Sequence, residues 1–344
     1  DDLNIDVNEI FKKINKNTKA IMPVHLSGIP ANLDKIRKIC SKKNLLLIED
    51  AAHSLGSSIA GSPVGSIADL TAFSFYPTKN ITTAEGGAVA ARNRELLDRA
   101  KTFSRQGLVR DPDLFRIQTE GQWHQEVQEF GLNYRLPDVL AALGLSQLQR
   151  LEGFRQTRAG VKQKYDEIFL SHAELRTPVQ RPGVQPMWHL YPLLVPARER
   201  RGLFEFLRAS GIAVQVNYMP AYWHPAFESS LYPRGLCPVA EAFYAREISL
   251  PLHVRLTDAE IDQVASVVLN GLNAVPDTVC AKFIEGDKDV VCRTGHIRFA
   301  RVHGDAEAMR LGFEKQGSKG LGRVVHFVVG QVQSNKMRTA FQNP

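Results

Sequence analysis

An amine and a carboxylate held at the ends of neighbouring strands can grip one ligand between them. In this 344-residue chain two side chains are placed to do so: Asp50 closes the run Leu45-Leu46-Leu47-Ile48-Glu49-Asp50, and Lys79 follows the apolar stretch Leu70–Phe75 by a few residues. In open α/β sheets the functional crevice lies beyond the carboxyl ends of the strands, where both residues would fall. A lysine can form a Schiff base with pyridoxal phosphate, while an aspartate keeps the pyridine nitrogen protonated so that the ring draws electrons. A surface lysine and a helix-capping aspartate fit the same spacing, and the pair alone does not decide between the two.

The elements that must position these residues are legible in the hydrophobic periodicity. Val7, Ile10, Phe11 and Ile14 recur at helical spacing, and Ala20–Val24 predicts a short buried strand. Gly28-Ile29-Pro30 breaks the chain before an amphipathic helix carrying Leu33, Ile36 and Ile39, which closes in the Lys-rich turn Ser41–Asn44. The continuous apolar run Leu45–Ile48 predicts a strand buried on both faces of a parallel sheet. Leu70–Phe75 and Gly87–Ala90 predict two more strands. Such alternation predicts an α/β fold with a mostly parallel sheet and helices on both faces.

Pro137 falls at the predicted first turn of a long helix carrying Leu140, Leu143, Leu148 and Leu151, a bridge to a second, smaller α/β unit. That unit contains a strand over Leu190–Val195, a helix near 200–209 and a strand over Ala213–Val216. The expected division is a large domain over 1–154, a small C-terminal domain over 155–272 and an unassigned tail over 273–344. In the tail, short β-rich pieces such as Val324–Val329 mix with glycine-rich turns. No internal repeat is present.

Composition narrows the classes. Apolar residues make up 44% and charged residues 23%, the balance of an ordinary globular protein. No apolar run approaches the ~18–20 residues that a membrane span needs. The opening DDLNIDVNEI has neither a basic flank nor an apolar core, so no secretory signal is expected. Cys40, Cys237, Cys280 and Cys292 are scattered without CxxC spacing, which argues against a disulfide scaffold or zinc site and fits reduced thiols in a cytoplasm. His296, His303 and His326 add no metal-ligand spacing, so no metal is expected. The net charge of +7 invites a nucleic-acid reading, but +4 of it lies from Asp277 onward, where 11 Lys/Arg face 7 Asp/Glu. The nearly balanced body argues for a solvated surface, so no nucleic-acid partner is expected.

Wording goes further than spacing. Ile48-Glu49-Asp50-Ala51-Ala52-His53-Ser54, Phe73-Ser74-Phe75-Tyr76-Pro77-Thr78-Lys79-Asn80 and Thr82-Thr83-Ala84-Glu85-Gly86-Gly87-Ala88 follow one another, with Gly131-Leu132-Asn133-Tyr134-Arg135-Leu136 downstream. Pro23–Gly28, Trp188-His189-Leu190-Tyr191 and Ser249-Leu250-Pro251-Leu252 add further matches. Together they resemble the DegT/DnrJ/StrS-type sugar aminotransferases, pyridoxal-phosphate enzymes of fold type I, over roughly residues 3–272.

The resemblance implies a set of roles. Lys79 would be the Schiff-base lysine and proton shuttle, and Asp50 the partner of the pyridinium nitrogen. His53 would pack near the ring, and Ser74 would donate its hydroxyl to the cofactor phosphate. Asn133 would reach the phosphate of the neighbouring subunit's cofactor, which implies a homodimer, and Arg135 would hold the donor's carboxylate. Tyr218 and His224, in Asn217–His224, would lie near the sugar-nucleotide pocket. The implied reaction moves nitrogen from glutamate to a nucleotide-linked keto-deoxysugar, for aminosugar and cell-surface polysaccharide synthesis. Lysine at 79, where the family's dehydratases carry histidine, points to transamination. In the family a front segment supplies a helix start that seats the cofactor phosphate, and the resemblance implies that the chain would be N-terminally truncated. That opens the alternative of a catalytically inactive homologue serving only as a binding or dimerisation partner.

Overall fold

The computed structural model of the chain describes residues 3–227 and 232–274. Helix α1 (Val7–Lys13) is capped by the Asp6 carboxylate, which accepts from Asn8 N; Ile10 is buried, but Phe11 stays exposed. Strand β1 (Ala20–Ile21) is shorter than its apolar run, because Pro23 has no N–H to give a ladder and Val24 makes only an isolated bridge to Asp50. Helix α2 (Leu33–Lys43) is held by the Asn32 side chain at its start and by left-handed Asn44 at its end. Its face of Leu33, Ile36, Ile39 and Cys40 forms one core with Ile21 and Leu47.

Strand β2 (Leu46–Asp50) corrects the expectation of burial on both faces. Leu46 is exposed, Leu47 is buried, and Glu49 is fully buried. A carboxylate occupies that core position because its partners are built in: His25 Nε2 lies at 3.3 Å, Gly65 N at 3.1 Å and Ala68 N at 3.0 Å. A small hairpin, β3 (Ser58–Ile59) and β4 (Ser62–Pro63), leads to β5 (Leu70–Ser74) and β6 (Gly87–Ala91). The main sheet has the order β1-β2-β5-β6, with the first three strands parallel and β6 antiparallel. Parallel pairing of β2 with β5 puts their carboxyl ends, Asp50 and Ser74, on the same edge.

Helix α3 (Arg94–Phe103) follows, then the paired β7 (Leu108–Val109) and β8 (Glu126–Val127). The expected long helix is two: α4 (Asp138–Leu148) and α5 (Leu151–Phe169), divided at Arg150, whose φ of −103° and ψ of 0° are not helical. Pro137 is the residue before the first turn, in extended conformation, and Leu143 and Leu148 are exposed.

In the second unit β9 (Val184–Gln185) pairs with β3, and β10 (Tyr191–Leu194) pairs antiparallel with β11 (Glu247–Leu250). Helices α6 (Arg200–Ala209), α7 (Pro238–Arg246) and α8 (Asp258–Ala274) complete it. The strand expected over Ala213–Val216 is reduced to an isolated bridge of Gln215 with Ser249. Its continuation is diverted, since Asn217 N donates to the Glu247 side chain, not to a strand carbonyl. Tyr165, Phe169, Tyr191, Leu203 and Leu207 centre a second core, into which Ile29 of the first unit inserts. No helix among the described residues is long and apolar enough to cross a membrane. From residue 275 onward the tail, with Cys280, Cys292, His296, His303, His326 and Val324–Val329, lies outside the described residues.

Candidate active site

The site begins where the first unit's chain turns under the second. Ser27 and Gly28 both take positive φ, 59° and 88°. Ser27 O accepts from His189 N at 2.8 Å, while Gly28 O accepts from Ser57 Oγ at 2.9 Å and Met187 N at 3.4 Å. Ser57 Oγ in turn accepts from Met187 N at 2.9 Å. A side chain at 28 would put its Cβ 3.0 Å from His189 N, His53 O and Trp188 N, so this crossing needs glycine for both conformation and space. The crossing carries His189 to the end of the sheet.

At that end, Asp50 Oδ1 accepts from Ala52 N at 3.1 Å, an Asx turn that folds the chain back and fixes the carboxylate. His53 follows, buried at 8% exposure. Beyond β5, Phe75 N donates to Gly86 O, Phe75 O accepts from Thr83 N and Thr82 Oγ1, and Thr82 N donates to the Gln147 side chain. Lys79 sits half-buried on this pinned loop, its own N–H donating to Tyr76 O at 2.9 Å.

Burial pushes the Lys79 ammonium below the usual lysine range, and the Asp50 charge opposes that shift. Burial, then the Lys79 charge, holds His53 down at about 3. His189 is also depressed, by burial first and then by His53, Lys79 and Arg158. Both imidazoles are therefore neutral at physiological pH, and the lysine is the cation they face. Their ring centroids lie 4.2 Å apart. Tyr218 approaches from the second unit, its hydroxyl 3.5 Å from His53 Nε2. A buried cluster holds that approach: Glu247 accepts from Asn217 N at 2.6 Å and from Ser249 Oγ at 2.5 Å, and Asn217 Nδ2 donates to Ser249 Oγ at 3.0 Å. Burial pushes Glu247 up to about 7, against the hydrogen bonds from Ser249 and Asn217 and the Arg200 charge.

The fold brings Asp50, His53, Lys79 and Tyr218 to one crevice, with half-buried Ser74 on the same sheet edge. It does not bring in the others. Asn133 and Arg135 are exposed and bond to each other, Arg135 Nε to Asn133 Oδ1 at 2.9 Å. His224 is exposed in a short helical turn, its N–H donating to Ala221 O. Three residues join the site that sequence reasoning missed as site residues: Asn80, His189 and Glu247. Asn80 beside a lysine reads as a turn residue, and nothing in spacing ties it to a histidine 109 positions away.

The donor set fits pyridoxal phosphate. A carboxylate stands ready for a protonated ring nitrogen, and an amine with a lowered pKa for a carbonyl carbon. A strand-end hydroxyl suits phosphate, and His53, whose Nδ1 is buried without a hydrogen-bond partner, supplies a ring face.

Comparison with known proteins bears on the same residues. The description of the DegT/DnrJ/EryC1/StrS aminotransferase family matches residues 1–269. An uncharacterised protein of Methanocaldococcus jannaschii is 40% identical over 270 residues, covering 77% of this chain and 70% of that protein. The UDP-4-amino-4,6-dideoxy-N-acetyl-beta-L-altrosamine transaminase of Campylobacter jejuni is 35% identical, covering 81% of this chain and 73% of the enzyme. Among solved structures, Helicobacter pylori PseC, an aminotransferase involved in the biosynthesis of pseudoaminic acid, superposes with a TM-score of 0.73 at 33% identity, over 79% of this chain and 71% of that one.

Proposed function

The chain belongs to the DegT/DnrJ/EryC1/StrS aminotransferase family, and on that footing we propose that it transfers nitrogen from glutamate to the keto carbon of a nucleotide-linked deoxysugar. The observation that carries the reading is Lys79, half-buried within electrostatic reach of Asp50 and of two neutral imidazoles at the sheet's carboxyl edge.

When bound, pyridoxal 5'-phosphate supplies an electrophilic carbon and an electron-withdrawing ring. Asp50 would hold positive charge on the ring nitrogen with its carboxylate, and His53 would wall the ring. Ser74 Oγ would donate to its phosphate. The lowered pKa of Lys79 makes neutral Nζ accessible, so the same atom takes a proton from the donor's α-carbon and returns one to the acceptor sugar's carbon. Arg135 pairs with the glutamate carboxylate, while Tyr218 and His224 border the sugar nucleotide. Asn133 serves the cofactor phosphate of a second copy in a homodimer. In this reading residues 1–154 form the cofactor domain and 155–272 the small domain of a cytoplasmic enzyme of aminosugar synthesis for cell-surface polysaccharide.

The test is an absorbance spectrum of the chain with added pyridoxal phosphate, followed by borohydride and peptide mass mapping. A visible band that reduction fixes covalently on Lys79, that Lys79→Ala lacks and that glutamate discharges with release of 2-oxoglutarate supports the proposal. A folded chain that shows no band sinks it and leaves the reading as a non-catalytic partner.

A further inference from the structure

Asn80 has no part in the reaction as described, yet it adjoins Lys79 and is 7% exposed. Both ends of its amide are engaged. Nδ2 donates to His53 O at 2.9 Å, and Oδ1 faces His189 Nδ1 at 3.2 Å. A carbonyl can only accept, so the amide's NH₂ end must face His53 O and its oxygen must face the imidazole. That oxygen can only accept in turn. His189 Nδ1 therefore carries the hydrogen, and the neutral ring has its lone pair on Nε2. His189 then packs at 4.2 Å on His53, whose own backbone the same amide holds.

We propose that Asn80 is a positioning residue: it fixes His189 as the Nδ1–H tautomer and so holds that ring, tilted by 42°, behind His53, the wall against which the cofactor ring would lie. The arrangement rests on the reading of Lys79 and His53 given above. One amide thereby ties together the lysine's chain neighbour, the wall residue's backbone and an imidazole delivered by the second unit. Lys79, Arg158 and His53 all disfavour a charge on His189, so tautomer choice, not protonation, is what Asn80 decides.

Long-range ¹⁵N–¹H correlation spectra of the cofactor-free chain read the tautomer directly. In the wild-type protein His189 is expected as Nδ1–H; finding it as Nε2–H overturns the inference without any variant. Asn80→Ala is expected to shift His189 toward Nε2–H and to weaken pyridoxal phosphate binding about tenfold, with KM for glutamate unchanged at saturating cofactor. Asn80→Asp keeps an acceptor for His189 Nδ1 but loses the donor to His53 O, so it should restore Nδ1–H and raise the pH at which His189 titrates without restoring the hold on the His53 backbone. A tautomer switch in Asn80→Ala with unchanged cofactor affinity overturns the positioning role. Failure to trap Lys79 in the wild-type chain sinks the functional reading instead. Wrong tautomer or unchanged affinity with trapping intact sinks only this inference.

Discussion

Around Lys79 the side chains of His53, Asn80 and His189 are buried and bonded to residues distant in sequence, His53 with Tyr218 and Asn80 with His189. Over residues 130–148 the opposite holds: Phe130 is 100% exposed, Val139 81% and Tyr134 70%, and Asn133 bonds to its near neighbour Arg135. The crevice is positioned by the chain's own packing. The second region carries suitable chemistry, an amide and a guanidinium, amid apolar surface that no described element covers. If both serve one site, the joining must come from another surface, and the homodimer proposal supplies it: Asn133 of each copy would complete the crevice of the other.

The largest effect that would break this contrast is on turnover. Lys79→Ala is expected to lower glutamate-dependent amination by at least ~10³-fold, measured as 2-oxoglutarate release. Asn133→Ala should also be impaired, but mixing the two variants should add about a quarter of wild-type activity, since half the pairs are hybrids with one intact site each. No recovery after verified subunit exchange would place both residues in the same subunit's site.

A second effect concerns the pH dependence of stability. The folded-state pKa of Glu247, about 7, exceeds its ordinary 4.5, so the stability it contributes is full below pH 4.5 and lost as pH rises through 7. The loss amounts to ~3 kcal/mol, and Glu247→Gln should abolish it. His53 works in the other direction: its folded value of about 3 lies below 6.5, so its contribution is present above pH 6.5 and lost as pH falls toward 3. These slopes oppose each other between about pH 4.5 and 6.5, so denaturant unfolding of the cofactor-free chain should show little pH dependence there and a loss only at lower pH, as His53 charges. In Glu247→Gln the opposing slope is gone, so stability should rise with pH from about 3 to 6.5, and a profile as flat as the wild type's would reject this account.

Gly28→Ala should cost ~2 kcal/mol or more, because the new Cβ meets three backbone atoms at 3.0 Å and φ is +88°. It should also weaken cofactor binding by shifting His189, while leaving the 130–148 surface unchanged. The smallest effect separates the regions from the other side. Val139→Asp, on the exposed face of α4, should change monomer stability by less than ~0.5 kcal/mol yet lower association in sedimentation velocity.

How much of this was legible beforehand varied with the kind of signal. The placement of Asp50 and Lys79 at the sheet edge was legible because strand ends are marked by where apolar runs stop, and parallel pairing then aligns those ends, whereas Ser74, inside the expected strand, was marked only by the wording of its motif. Glu49 was not: periodicity treats carboxylates as outward, and only the His25, Gly65 and Ala68 partners make its burial tolerable. The leucines of α4 were legible as a stripe, but pattern alone cannot say whether a stripe meets this chain's core or another surface. Arg150 gave no sign that the helix would divide there.

The crossing at Ser27–Gly28 has a further consequence, for the order of events during synthesis and refolding. The walls of the crevice meet only when Met187 and His189 have returned to Ser57, Gly28 and Ser27, a closure spanning 130 residues for the Ser57–Met187 bond alone. Closing a loop of that length costs roughly 4 kcal/mol of chain entropy, repaid only once the second core has packed around Ile29. A nascent chain therefore has its lysine long before it has a pocket. In the finished protein the amides of Met187 and His189 should exchange with deuterium at the pace of whole-molecule opening, reporting cofactor-site integrity and folding as a single event.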